Sequence, residues 1–161
     1  IAIDEVSING DWGNERTPFE DWVYQNFTSK GLLYGGDSDD VSGDGIPNLI
    51  KYGMGLDPIA TNTGLYIFGG VTNLSGDPSL ADGQYLYLAY RRALQVTDLD
   101  FHVTSKTNLA DALEPWTTVN VMEQSPWIVG EPGVWAWVYN FHAIPVTNAP
   151  ARFMRLEVGT P

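Results

Sequence analysis

The sequence predicts a mainly β protein, an antiparallel β-sandwich with an N-terminal helix–loop–helix unit packed on it. Three observations lead there. From Leu65 onward, apolar and polar residues alternate with turn signals about every ten residues, the pattern of an antiparallel sandwich. Ahead of that stretch, Thr17 to Gly31 carries apolar residues at helical spacing between a start and a stop signal. Between the two lies an acidic, glycine-containing loop followed by Pro47, a residue that can open a helix. With 161 residues, six tryptophans, eight tyrosines and six phenylalanines, the chain has enough apolar area for one compact core.

Residues 1–10 read as a strand. IAIDEVSI is rich in β-branched residues and ends at the turn dipeptide Asn9-Gly10. Ile1, Ile3, Val6 and Ile8 are its apolar set, and the strand is expected either to join the chain's own sheet or to be donated to a neighbour. Residues 11–60 form the helical unit. Thr17 is the expected N-cap, Pro18 the first helical residue and Glu20 the partner in a capping box, with Gly31 as the stop. Phe19, Trp22, Val23 and Phe27 fall on one face, which is expected to be core. A second short helix runs from Pro47 through Leu49, Ile50, Tyr52 and Met54 and stops at Gly55, ahead of Asp57-Pro58. Residues 61–161 make the sandwich. The expected strands are Tyr85–Arg91, Leu99–Ser105, Thr117–Met122, Val134–Tyr139 and Arg152–Val158, with SGDPSLADG and GEPG as turns.

The loop DDVSGDGIPN has the spacing of a calcium site. Calcium takes six to eight oxygens, so carboxylates and a carbonyl must alternate around one point, and a glycine must allow the sharp turn. With Asp40 as the first position, Ser42 is third, Asp44 fifth, Gly45 sixth, the Ile46 carbonyl seventh and Asn48 ninth. The twelfth position, which in an EF-hand carries a bidentate glutamate, is Lys51. A lysine does not ligate, so Asp57, Asp37 or Asp39 is expected to complete the shell around Ca2+, with low affinity suited to an extracellular site. The alternative is a calcium loop kept as a hydrogen-bonded turn in which Lys51 supplies the positive charge.

The charge balance, 20 acidic against 8 basic side chains, disfavours nucleic acid and anionic membrane surfaces as partners. There are no cysteines, so stability rests on packing and metal rather than cross-links. No apolar run reaches the length of a membrane-spanning helix. The start at Ile1 fits a processed mature protein or an excised fragment. His102 and His142 stand alone in strand-like contexts, and no nucleophile elbow, phosphate cradle or metal-ligand spacing of His and Cys accompanies them. Glu114, Glu123 and Glu131 are carboxylates that nothing in the sequence pairs. The expectation is a protein that is not an enzyme.

Five segments in order carry a resemblance: FEDWVYQNF, DDVSGDGIPNLIKYGMGLDP, YLAYRR, FHVTSKTNLADALEPW and RFMRLEV. Together they resemble the C-terminal modules of many large secreted bacterial proteins, in which a thrombospondin-type-3-like or EF-hand-like calcium loop accompanies a small β-sandwich. The resemblance spans nearly everything from Phe19 to Val158 and implies a secreted, non-catalytic calcium-binding module. Ser42, Lys51 and Asn108 depart from the family pattern of Asp, Glu and Asp. The opening IAIDEVS resembles the last strand of MAM-type jelly-roll domains.

Two classes of function follow. One is a structural or adhesive module that attaches proteins to a surface, to a matrix, to other extracellular proteins or to copies of itself, as in a filament whose subunits are joined by the strand at Ile1 to Ile8. The other is carbohydrate binding. Trp135, Trp137 and Tyr139 project to one face of a strand, and Trp127 follows Pro126 in a loop, so these rings are candidates to stack on polysaccharide.

Overall fold

The computed structural model describes residues 16–32, 35–124, 127–148 and 151–161. The expected N-terminal strand lies outside the described residues. Among the described residues two α-helices precede seven strands: α1 Pro18–Asn26, α2 Asn48–Met54, β1 Ile67–Leu74, β2 Gly83–Ala93, β3 Asp100–Lys106, β4 Val121–Glu123, β5 Ile128–Glu131, β6 Trp135–His142 and β7 Phe153–Gly159. The fold is β-rich. Among the described residues no helix is long and apolar enough to cross a membrane.

The start of α1 is the capping box that the sequence signals. The Glu20 amide donates to Thr17 Oγ1 at 3.2 Å, and the Thr17 amide donates to Glu20 Oε2 at 2.8 Å. The helix ends earlier than expected, at Asn26. A single 3-10 turn, Thr28–Lys30, continues the chain, and Gly31 closes it in the left-handed region at φ 73°. Phe27, between the two, is fully buried. Helix α2 ends as read, with Gly55 left-handed at φ 61° and its amide bonded back to Tyr52.

The strands form two antiparallel sheets. In the larger, β2 pairs with β1 on one edge and β6 on the other, and β6 in turn pairs with β4 and β5. The smaller is β3 with β7. Val103, Phe101, Leu88, Tyr90 and Val138 form a core cluster with Tyr52 and Met54 of α2, and Met154, Leu156 and Val158 of β7 pack against it. Tyr90 and Phe101 stack with centroids 5.5 Å apart and planes only 1° from parallel, which locks one sheet to the other.

Two strand expectations change. The stretch Thr117–Met122 is a strand only from Val121, because Asn120 takes a left-handed φ of 63° and the Val121 amide bonds back to Thr118, a turn that interrupts the ladder. Thr117 makes just an isolated bridge to Ser105. Strands β1 and β5 were not individually expected. The Gly69-Gly70 pair dilutes the signal in β1, and β5 is a short segment exposed along its whole length.

Asp98, in the β2–β3 connection, ties the helices to the sheets. Its Oδ2 accepts from the Phe19 amide at 3.0 Å at the start of α1, and its Oδ1 accepts from the Tyr52 hydroxyl at 2.6 Å on α2. Burial and the facing Asp98 carboxylate push the Tyr52 hydroxyl well above its ordinary pKa. Phe19 and Trp22 meet the Tyr52 ring at 5.4 and 5.6 Å, so the clip and the aromatic contacts act on one spot. Asp98→Ala is expected to lower the unfolding free energy by roughly 1.5–3 kcal/mol and Tyr52→Phe by about 1 kcal/mol. Urea denaturation measures both, and unchanged midpoints would show that the clip contributes nothing.

Candidate functional sites

Two constellations stand out, the acidic loop and the outer face of the larger sheet. The loop is built by left-handed glycines, Gly43 at φ 68° and Gly45 at φ 82°, which wrap the chain so that successive acidic and hydroxyl side chains turn inward. What they meet is Lys51. Its ammonium lies 3.1 Å from Asp40 Oδ1, 2.7 Å from Ser42 Oγ and 3.2 Å from Asp44 Oδ1, and its side chain has no exposed surface. Helix α2 sets this up, because Lys51 sits one turn into the helix and long helical side chains lean toward the N-terminus, where the loop lies.

The carboxylates are also held by backbone and amide donors. Asp40 Oδ2 accepts from the Gly45 amide at 2.6 Å; Asp44 Oδ1 accepts from the Ile46 amide at 3.0 Å, and its Oδ2 from the Asn62 amide at 2.8 Å and the Asn62 side chain at 3.0 Å. Burial works against charge on both acids, but these donors and the Lys51 ammonium outweigh it. Both carboxyls are held below the usual carboxylate range, Asp44 far below it.

The other expected ligands serve their own turns. Asp37 Oδ1 accepts from the Ser38 amide, Asp39 Oδ2 from the Gly36 amide, and Asp57 Oδ1 from the Ile59 and Ala60 amides. The Ile46 side chain is buried, and Asn48, also buried, donates its amide to the Gly36 carbonyl at 3.0 Å. Asn48 Oδ1 has no hydrogen-bond partner among the described residues. Thus three of the expected oxygens converge, on an ammonium, while Asp37, Asp39 and Asp57 bond elsewhere. Among the described residues no group of three or more His, Cys, Asp or Glu side chains is placed to hold a metal.

On the larger sheet, residues paired across strands share a face. Register places Phe68 opposite Ala89, Gly70 opposite Tyr87, and Tyr87 opposite Phe141, while Tyr139 faces Ala89 and Trp137 faces Arg91. Phe68, Tyr87, Trp135, Trp137, Tyr139 and Phe141 therefore lie on one face. Their rings form a continuous layer: Trp135 to Trp137 at 5.6 Å, Trp137 to Phe68 at 5.0 Å, Phe68 to Tyr87 and Tyr139 at 6.0 Å each, and Tyr139 to Phe141 at 6.4 Å. None of the six belongs to the core cluster, and all but Phe141, which is buried, are half-buried. The Arg91 guanidinium caps one end, 4.5 Å over the Trp135 ring.

The layer opens into a cleft of about 260 Å³ lined by Thr72, Leu74, Tyr87, Gln124, Tyr139 and Phe141. Trp127 is elsewhere. Its indole donates to Glu123 at 2.7 Å and its ring sits 5.1 Å from the Arg92 guanidinium, packed against the core cluster. Of the expected sugar-contacting rings, Trp135, Trp137 and Tyr139 are brought together and Trp127 is not. Phe68, Tyr87 and Phe141 are additional members. Phe141 continues the alternation of Trp135, Trp137 and Tyr139, a visible signal, whereas Phe68 joins only through strand register.

Of the remaining candidates, His102 is exposed, and His142 is buried with its Nδ1 accepting from the Ile144 amide at 3.2 Å. Glu114 accepts from the Thr107 amide and hydroxyl and from the Asn108 amide, a loop clip. No family model, curated protein or solved structure matches the chain.

Burial, helped by the positive charge of Arg152, lowers the pKa of His142 from its ordinary 6.5. The unfolded chain takes up this proton near the ordinary value while the fold keeps the ring neutral, so protonation favours unfolding. The stability that His142 contributes is complete above about pH 6.5 and is lost as pH falls below it. Wild-type protein is therefore expected to lose more melting temperature between about pH 7.5 and pH 5.5 than His142→Gln, read by calorimetry. Parallel curves for the two proteins would refute this.

Proposed function

We propose that the chain is a non-catalytic attachment module of a secreted protein, a small β-sandwich with the helix–loop–helix unit packed on it, whose outer aromatic face binds carbohydrate. The observation that carries this reading is the six-ring layer beside the core cluster, in which every ring but Phe141 is only half-buried. Sugar rings present apolar C–H faces and polar edges, and a row of half-buried aromatics matches the first while the Thr72 hydroxyl and Gln124 amide beside the cleft match the second. Along β6 the rings recur at every second residue, a spacing of about 6.6–6.8 Å along the strand, which suits a repeating polymer better than one small molecule. The formal charge of −12 selects against anionic polymers, leaving neutral or amino-bearing polysaccharides.

Affinity electrophoresis against neutral plant and algal polysaccharides tests this. Wild-type protein is expected to be retarded in at least one gel, and Trp137→Ala to lose affinity by about 30-fold with its circular-dichroism melting curve retained. Absence of retardation in every gel would remove the reading.

A second reading is self-assembly by strand donation, supported by one edge of the larger sheet. Among the described residues β1 pairs only with β2, so its other edge presents unpaired backbone groups. IAIDEVSI from another copy is the natural occupant. Sedimentation of the full chain is expected to show concentration-dependent oligomers that vanish when residues 1–8 are deleted, with the melting temperature unchanged. A full chain that stays monomeric at all concentrations would eliminate it.

A further inference from the structure

The acidic loop has the spacing of a calcium site but holds a side-chain ammonium where the ion would lie. An EF-hand loop closes on calcium with a twelfth-position glutamate that adds two oxygens and one negative charge. Here that position is Lys51, which adds one positive charge and no ligand. The exchange conserves charge. Two aspartates and a glutamate around a divalent ion leave one net negative charge, and so do Asp40 and Asp44 around one ammonium.

The ammonium's three donors match three oxygens, on Asp40, Ser42 and Asp44. The remaining carboxylate oxygens are taken by the amides of Gly45 and Asn62. Calcium needs six to eight oxygens at 2.3–2.6 Å around one centre, and the residues described here do not fit it while Lys51 is in place.

We propose that Lys51 is the permanent cation of this loop, making the module metal-independent, and that Lys51→Glu uncovers a latent calcium site. With Lys51 present, the melting temperature is expected to be the same in EDTA and in several millimolar calcium chloride, and isothermal titration of calcium into metal-free protein to give no binding heat. In Lys51→Glu, three carboxylates repel one another without metal, so the melting temperature falls in EDTA. It recovers by about 2–4 °C when calcium is several-fold above a dissociation constant of roughly 10⁻⁴–10⁻³ M. Lys51→Met, which lacks both the ammonium and the added ligands, is expected to be destabilised and to stay so in calcium.

A wild-type chain that calcium stabilises, or that gives a saturable calcium heat, overturns the proposal. A Lys51→Glu chain that calcium does not stabilise overturns the latent site. The wild-type measurement stands alone and needs no variant to fold. Neither result bears on the polysaccharide gels, so the two readings fail independently.

Discussion

The acidic loop and α2 are organised around one buried ammonium. An uncompensated charge at zero exposure is costly, so the fold requires every donor on Lys51 Nζ to find an oxygen. Meeting that requirement closes the loop, since Asp40, Ser42 and Asp44 must turn inward together and Gly43 and Gly45 must take left-handed backbone. It also reaches forward. Asp44 spends its second oxygen on Asn62, which fixes the segment leading into β1. The same helix sends Tyr52 and Met54 into the core. The short helix is thereby clamped between a polar cage and an apolar cluster, which explains how seven residues hold helical form when isolated helices of that length do not.

The larger sheet solves a different problem, that of carrying large rings on a face that no second sheet encloses among the described residues. Strand β6 puts small and β-branched side chains, Ala136 and Val138, toward the core and Trp135, Trp137 and Tyr139 outward. The rings are supported sideways, by each other and by glycines on neighbouring strands. A Cβ on Gly130 would run into the Trp135 ring, and one on Gly70 would meet the Tyr87 ring at 3.3 Å. Lateral packing of this kind holds aromatic surface in place while leaving it accessible, which a second layer would not do.

Much of this was legible in residue order. The capping box at Thr17 and Glu20, the stop at Gly55 and the core strands each depend on local chemistry or on short-period alternation, so a single segment carries the signal. The loop's first, third and fifth positions were legible for the same reason, and so was the anomaly at Lys51. What sequence did not yield depends on register or on distant partners. Asn62 reaches Asp44 across eighteen residues, and Phe68 joins the rings only because β1 pairs with β2 in one frame. Asp57, Asp37 and Asp39 were expected at the loop centre on proximity in sequence. An Asp in a turn satisfies its neighbours' amides more cheaply than it reaches a shared point, and each of the three does so. Trp127 lies just ahead of β5, outside any strand, but its ring is packed against the core cluster and held by Glu123 and the Arg92 guanidinium from β4 and β2, contacts that residue order does not show.

Arg91 joins the two halves. Its Nη2 donates at 2.7 Å to the carbonyl of Gly55, the cap residue just past α2, while its guanidinium lies 4.5 Å over Trp135 at the end of the ring layer. The position of α2 thus enters directly into the placement of an outward-facing ring. Because α2 is anchored to the loop by Lys51, a loop that took its cation from solution would let the placement of Gly55, and with it Arg91 and Trp135, vary with the surrounding ion. A cation carried on the helix itself removes that dependence, since the charge that closes the loop and the carbonyl that holds Arg91 belong to the same turn and a half of backbone.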